Sequence, residues 1–335
     1  MIGYYIHHHG KGHLTRASTI AARIGLPVTA LTSMDVPSDL TFADHVQLEM
    51  DTSGSNNHNP TAHGAFHWAP THHPGLRSRM TRIAEWISDA RPQALVVDVS
   101  AEVAVFARLM GVPVVVVAMP GARDDDAHQL VYKIADHIIA AWPKEIYDPD
   151  WLRDFHRKTT YVGGISRFDG RQRVTDLGGG DPRPQVLVMS GAGGSHISRE
   201  NIQSCASQHD SFRWKALGVG GEGWLADPWN ELCSSDIIVT HAGQNAVADV
   251  ATAQRPAIVV AEERPFDEQA ATARALSEHQ LCLSLRTWPA TDQWPTLIEE
   301  AKAIGVHRWS KWRTAGAADR AAAIIRMVSE RGPRP

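Results

Sequence analysis

Residues 236–269 read DIIVTHAGQNAVADVATAQRPAIVVAEERPFDEQ and concentrate polar side chains at two turns, each following an apolar run. The run ending at Thr240 reads as a buried strand. His241, Gly243 and Asn245 then stand at the start of a helix, where unpaired N–H groups and the macrodipole favour a phosphate. Asp249, four residues beyond Asn245, shares a helix face with it and can accept hydrogen bonds from a diol such as ribose. Pro256 opens the next strand. Asp267, Glu268 and Gln269 follow at its carboxyl end, the edge where ligands of open α/β sheets collect, and can hold sugar hydroxyls there. Two glycine-rich turns repeat a strand–turn–helix pattern: Gly10-Lys11-Gly12-His13 in the first half and Gly191-Ala192-Gly193-Gly194-Ser195 in the second. Glycines at such turns let the backbone approach a ligand, and the helix start offers N–H groups to an anion.

The elements that must position these residues alternate short apolar runs with amphipathic stretches, the pattern of buried parallel strands joined by crossover helices. Strands are expected near Ile2–Ile6, Val28–Leu31, Ala94–Val97, Val112–Val117 and Ile138–Ala141. A second series is expected near Gln185–Met189, Phe212–Leu217, Ile237–Thr240, Ala257–Val260 and Cys282–Leu285. Between the series, residues 167–184 are rich in glycine, aspartate, arginine and proline and read as a linker. The expected organisation is α/β: a Rossmann-like domain over 1–166, the linker, a second Rossmann-like domain over 185–310, and a C-terminal helix over 311–335 able to pack back on the first domain.

The chain has 335 residues, enough for two domains of about 150. With 33 basic and 37 acidic side chains it lacks the concentrated positive charge of a nucleic-acid grip. Cys205, Cys233 and Cys282 show neither disulfide nor zinc spacing, and suit a reducing compartment. The amino terminus lacks the pattern of a signal peptide, and no apolar run approaches a membrane span. The expected location is cytoplasmic, with peripheral contact at the inner face of a membrane compatible with the sequence.

Three features invite a metal. His7-His8-His9 at a strand end should point alternately to opposite faces and not converge on one ion. The 56–74 loop holds His58, His63, His67, His72 and His73 beside Trp68, without a cysteine or fixed carboxylate, and reads as an acceptor loop. Asp124-Asp125-Asp126 precedes a helix and reads as its cap. No metal site and no cofactor are expected. Trp68, Trp86 and Trp142 are candidates for lining an acceptor site and equally ordinary as core residues.

Over about 35 residues the second half resembles the donor-binding signature of nucleotide-sugar-dependent glycosyltransferases of the two-domain GT-B fold, in which two doubly wound domains face a central cleft. That group includes plant secondary-product glucosyltransferases and the bacterial lipid-linked muramyl-peptide N-acetylglucosaminyltransferase. The resemblance implies that His241, Gly243 and Asn245, with the turn Gly191, Gly193, Gly194 and Ser195, hold the donor diphosphate. It likewise implies that Asp249 takes the ribose, Trp224 lies under the base, and Glu268 with Gln269 takes the sugar. Gly12-His13 is similar to the family's glycine–histidine, making His13 the general base, and Asp98 matches the acid that orients it. An imidazole with a free pKa of about 6.5 can accept a hydroxyl proton, and a carboxylate on its other nitrogen fixes the tautomer. The implied reaction inverts the anomeric centre without a metal, using a UDP or dTDP sugar and a hydroxyl acceptor of cell-envelope glycan or natural-product type. Two departures stand out: the ribose-binding acid is usually glutamate, and about three extra residues precede Gln269.

Competing readings share parts of this pattern. A nucleotide-sugar 2-epimerase has the same architecture but leans on several carboxylates in the cleft, whereas Gly12-His13 favours acceptor deprotonation. A non-catalytic sugar-nucleotide-binding subunit would not need both half-sites in one chain. In a dinucleotide-dependent redox enzyme the first turn would read G-x-G-x-x-G, yet no third glycine follows Gly10 and Gly12 at that spacing, and Arg16 and Ala17 stand just beyond it.

Overall fold

The computed structural model describes residues 1–8, 10–52, 57–173, 181–191, 195–221 and 223–331. His9, Asn56, Gly178 to Gly180 of the linker, and Gly193 and Gly194 of the second turn lie outside the described residues.

The first half builds a seven-stranded sheet, all of whose pairings are parallel, from β1 (Ile2–Ile6), β2 (Val28–Thr32), β3 (Asp44–Gln47), β4 (Ala94–Asp98), β5 (Val114–Ala118), β6 (His137–Ala140) and β7 (Thr159–Tyr161). The spatial order is β3-β2-β1-β4-β5-β6-β7. The second half builds a five-stranded parallel sheet from β8 (Gln185–Met189), β9 (Arg213–Leu217), β10 (Ile237–His241), β11 (Ala257–Val260) and β12 (Leu283–Leu285), in the order β12-β11-β10-β8-β9. Runs such as VVVVA in β5 and AIVV in β11 are buried along their whole length, as strands covered on both faces must be. All ten expected strands exist, with ends shifted by at most two residues. β3 and β7 were not expected.

The crossovers of the first half are α1 (Lys11–Ile24), α2 (Pro74–Ala90), α3 (Ala101–Leu109) and α4 (Asp126–Ile134). Those of the second are α5 (Arg199–Gln208), α6 (Trp229–Ser234), α7 (Gln244–Ala253) and α8 (Glu268–Glu278), and α9 (Trp294–Ala303) follows the last strand. A last helix, α10 (Ala317–Glu330), follows a 3₁₀ stretch at Val306–Trp312 and starts after Gly316, whose left-handed φ of 69° separates the two. It lies beside α1, and its Ala317, Ala321, Ala322, Ile325 and Val328 share one apolar cluster with Ile2, Tyr4, Ile20, Val96 and Val115. Arg326 donates to the carbonyls of Arg23 and Ile24, which end α1 without helical partners.

A second cluster runs from the α3 and α4 face of the first sheet, through Trp142, Phe168 and Trp312, to the α7 and α8 face of the second. Trp142 is therefore a core residue, and Trp86 packs against Gly3 of β1, where a Cβ would lie 2.5 Å from the indole. The three cysteines are buried. No helix among the described residues is long and apolar enough to cross a membrane.

Candidate functional site

In each sheet the strand order reverses once, between β1 and β4 in the first and between β8 and β10 in the second. Helices leave to opposite sides at such a point, and a crevice opens at the carboxyl ends of the strands. His13 and Asp98 fall at the first of these crevices, and Gly191, His241 and Gly243 at the second.

At the first, Ile6 pairs with Asp98, so the turn after β1 faces the end of β4. Asp98 is fully buried, and His13 Nδ1 lies 2.9 Å from its Oδ1. With Nδ1–H donated to the carboxylate, the imidazole keeps its Nε2 lone pair free, and its side chain retains 16% exposure. Asp98 does not cap the following helix, because Ser100 accepts from the Val103 N–H in that role. Between them Val99 sits at φ 66°, a costly left-handed conformation for a β-branched residue, and turns the chain sharply just after the carboxylate.

Arg16 also grips Asp98, through Nε to Oδ2 at 3.0 Å and Nη2 to Oδ1 at 2.6 Å. Burial alone would raise the Asp98 pKa; the Arg16 charge, with His13 adding to it, outweighs burial and holds the carboxyl well below its usual range. The third guanidinium nitrogen, Nη1, donates to Gln244 Oε1 in the other half at 2.6 Å. In the sequence Arg16 stands out only as a neighbour of an incomplete dinucleotide fingerprint. Its partners lie 82 and 228 positions away, beyond any local signal.

At the second crevice His241 ends β10, and its ring lies between two glycines. A Cβ on Gly191 would fall 2.7 Å from His241 Nε2, and one on Gly243 2.5 Å from Cε1, so any side chain at either position displaces the imidazole. The Gly243 N–H donates to Nδ1 at 3.0 Å, which leaves the proton on Nε2, directed at the Gly191 turn. Burial, reinforced by Arg264 and opposed by Glu262, lowers the His241 pKa to about 4, so at neutral pH the ring is an uncharged N–H donor. α7 starts at once with Gly243 as its N-cap and no side chain capping it, leaving first-turn N–H groups available.

Gln269 is buried, and its Oε1 accepts from the N–H groups of Ala242 (3.0 Å) and Glu262 (3.1 Å). It locks the His241 turn to the end of β11, a positioning task that its place in the sequence did not reveal. Glu262, also missed, accepts from Ser195 Oγ and from the backbone N–H and Nδ1 of His196. Burial opposes its ionisation, but these donors, Ser195 first, hold its pKa below the ordinary value. The described end of the glycine-rich turn is thereby anchored.

The remaining candidates meet residues of other segments. Asn245 donates to the Gly12 carbonyl at 2.8 Å, joining the starts of α7 and α1. Trp224 is 47% exposed, with the Lys11 ammonium 5.0 Å above its ring. Asp249 is buried; Oδ1 accepts from Ser166 Oγ at 2.7 Å and Oδ2 lies 3.6 Å from Arg167, both on the segment leaving the first sheet. Burial, opposed by Arg167 and Ser166, raises its pKa to about 6. Glu268 begins α8, 3.9 Å from Arg123 of the first half. Beside it the Ala122 N–H donates to the Phe266 carbonyl at 2.8 Å.

The histidine-rich loop contributes one unexpected cluster. His67 Nε2 lies 2.9 Å from Asp125 Oδ1, and His128 Nδ1 2.5 Å from Asp125 Oδ2. His67 is fixed because its N–H and that of Trp68 both donate to Glu102 Oε1. Asp125 is the N-cap of α4 as well as their partner. Two imidazoles and a carboxylate, their ligand atoms within 4.8 Å of one another, are a donor set that suits zinc. The surroundings oppose it: the Arg123 guanidinium lies 3.3 Å from His128 Nε2, bringing a cation and an N–H donor where a metal-bound imidazole needs an acceptor. The His7 and His8 rings, expected to splay, stack at 4.6 Å because β1 has already ended at Ile6.

Residues 230–301 match the glycosyltransferase family 28 C-terminal domain, a span that includes β10, α7, β11 and α8. No curated protein matches the sequence. Solved structures share the whole architecture at low identity. MurG of Acinetobacter baumannii is 15% identical, with 97% of this chain and 99% of that one covered and a TM-score of 0.62. UGT89C1 of Arabidopsis thaliana, complexed with UDP, is 13% identical over 98% of each chain, with a TM-score of 0.66. The spinosyn rhamnosyltransferase SpnG, complexed with thymidine diphosphate, is 12% identical over 98% of this chain and 100% of that one, with a TM-score of 0.62. With a glycosyltransferase domain matched on the half that carries His241, and two parallel sheets whose crevices meet at α1 and α7, the chain is a glycosyltransferase of the GT-B type.

Proposed function

We propose that the chain moves a sugar from a pyrimidine nucleoside diphosphate, UDP or dTDP, to an acceptor hydroxyl, with inversion and without a metal. The observation that carries this reading is the pairing of the two crevices. A histidine with a free Nε2 lone pair lies on one side, and an uncharged imidazole N–H beside a bare helix start lies on the other. In the reaction the acceptor O–H gives its proton to His13 Nε2, and its oxygen forms the new bond to the anomeric carbon. The bond from that carbon to the diphosphate breaks, its electron pair going to the phosphate oxygen. Nε2–H of His241 and the first N–H groups of α7 stabilise the charge that develops there. Asp98 holds His13 in the required tautomer and steadies the imidazolium.

In this reading Gly191, Gly243, Asn245 and Ser195 border the diphosphate, Asp249 the ribose, Trp224 the base, and Glu268 with Gln269 the sugar. The complexes with UDP and thymidine diphosphate support a pyrimidine donor. The acceptor is assigned to the cell-envelope glycan or natural-product class, reached from the side of the 57–73 loop.

The test is release of nucleoside diphosphate from a panel of nucleotide sugars, with and without acceptors. His241→Ala should weaken donor use, and His13→Ala should abolish transfer while sparing donor binding. Conversion of the nucleotide sugar without release of nucleoside diphosphate would identify an epimerase instead. Full turnover by His13→Ala would remove the assigned base.

A further inference from the structure

We propose that Arg16 is a positioning residue that sets the basic strength of the His13–Asp98 pair, and that Gln244 of the opposite half holds it in place, so that the base is tuned only when the two halves meet. This inference rests on the assignment of His13 as base.

Two observations carry it. Arg16 is 97% buried, and each of its guanidinium nitrogens has a partner, so the group has one position. His13 and Arg16 share one oxygen, Asp98 Oδ1, at 2.9 and 2.6 Å, so the carboxylate is divided between them. A carboxylate already neutralised by a bidentate guanidinium stabilises a new imidazolium less than a lone one does. Arg16 Nη2 also lies 3.2 Å from His13 Nδ1, the His7 ring stands edge-on to His13 at 6.0 Å, and Tyr4 and Glu268 act electrostatically on the guanidinium; among these groups Arg16 is the cation in contact with both members of the pair, so its position governs how readily His13 takes a proton.

Gln244 is the first residue of α7, three positions after His241, so a movement that carries the donor-side histidine carries Gln244 as well. Its amide is oriented by the cation: Oε1 accepts from Arg16, while Nε2 is buried with no partner. Leaving a buried N–H group unsatisfied is costly, so the bond to Arg16 dominates the choice of orientation. A neutral acceptor at this place holds the guanidinium without cancelling its charge, which a glutamate would do. The adjacent Asn245 to Gly12 bond ties the same two helix starts and keeps Gln244 in reach.

The experiment is the pH dependence of kcat and donor KM for the wild type, Arg16→Met, Gln244→Met and Gln244→Glu, with nucleoside diphosphate release as the signal. Arg16→Met should move the acid limb of the kcat profile upward by about one pH unit or more, the shift expected when an adjacent charge is removed. Gln244→Glu, acting from the other half, should move it in the same direction while keeping most of the rate. Gln244→Met should lower kcat at least tenfold with donor KM within threefold. A residue that only supports the fold would lower the rate at every pH and leave the limb in place. Should Arg16→Met fail to fold, Gln244→Glu alone decides. An active wild type whose profile is unmoved in Gln244→Glu, or full rate in Gln244→Met, overturns the coupling. A wild type that releases no nucleoside diphosphate, or a fully active His13→Ala, overturns the assignment of the base and the coupling with it.

Discussion

Replacing Asp249 by asparagine should make the protein more stable and a weaker binder of its nucleotide at once. The carboxyl is buried in α7, and its pKa is raised from 3.8 to about 6 by that burial, with Ser166 and Arg167 offsetting part of the effect. The folded chain thus holds this proton more tightly than the unfolded chain. Below about pH 4 the group is neutral in both states and carries no penalty; between about 4 and 6 stability falls as the pH rises; above 6 the penalty is complete. A tenfold difference in proton affinity is worth about 1.4 kcal/mol, so two decades amount to about 3 kcal/mol at pH 8, with the attraction to Arg167 already included. Asparagine retains an acceptor for Ser166 and cannot ionise. Calorimetry should show the variant melting higher by roughly 4 °C at pH 8 and level with the wild type near pH 4. Titration with UDP-glucose should show weaker binding, because a neutral amide accepts less strongly from a ribose diol. Equal melting at pH 8, or the same gain at both pH values, would refute the account of a carboxylate kept charged against the preference of the fold.

Gly191→Ala and Gly243→Ala place a Cβ 2.7 and 2.5 Å from the His241 ring. Each should weaken UDP binding at least tenfold by isothermal titration, and binding at wild-type strength would show that the ring position is unimportant. Gln269→Leu leaves the Ala242 and Glu262 N–H groups buried without an acceptor and should cost about 2–4 kcal/mol in denaturant unfolding, whereas Gln269→Glu should recover most of it. Because His241 titrates at about 4, UDP-glucose affinity in the Asp249→Asn background should stay constant from pH 8 to 5; a midpoint near 6.5 traced to His241 would contradict the uncharged donor.

The alternation of buried runs made both sheets legible, since a strand covered on both faces must be apolar along its length. β3 escaped because only Val46 of its four residues is buried, and β7 because its three residues are all half-exposed. The histidines and glycines of the site were legible as residues at turns. Their partners were not, because hydrogen bonds such as Arg16 to Gln244, Ser195 to Glu262 and Asp249 to Ser166 join segments that only the folded sheets bring together. Gln269 shows the limit most clearly: its position suggested a ligand contact but gave no sign that its carbonyl oxygen also serves two backbone N–H groups. The stacking of His7 on His8 likewise depends on where β1 stops, which periodicity alone does not fix.

The return of α10 to the first sheet has a consequence for synthesis and for dissection. Ile20, Ile24 and Val96 pack in one cluster with Ile325 and Val328, so the amino-terminal half keeps an uncovered apolar face until α10 emerges. Translation order and folding order therefore diverge, and the second sheet can close while the first still waits for its cover. A fragment ending near residue 166 should aggregate, whereas a circularly permuted chain that brings residues 317–330 next to residue 1 should give a soluble first half.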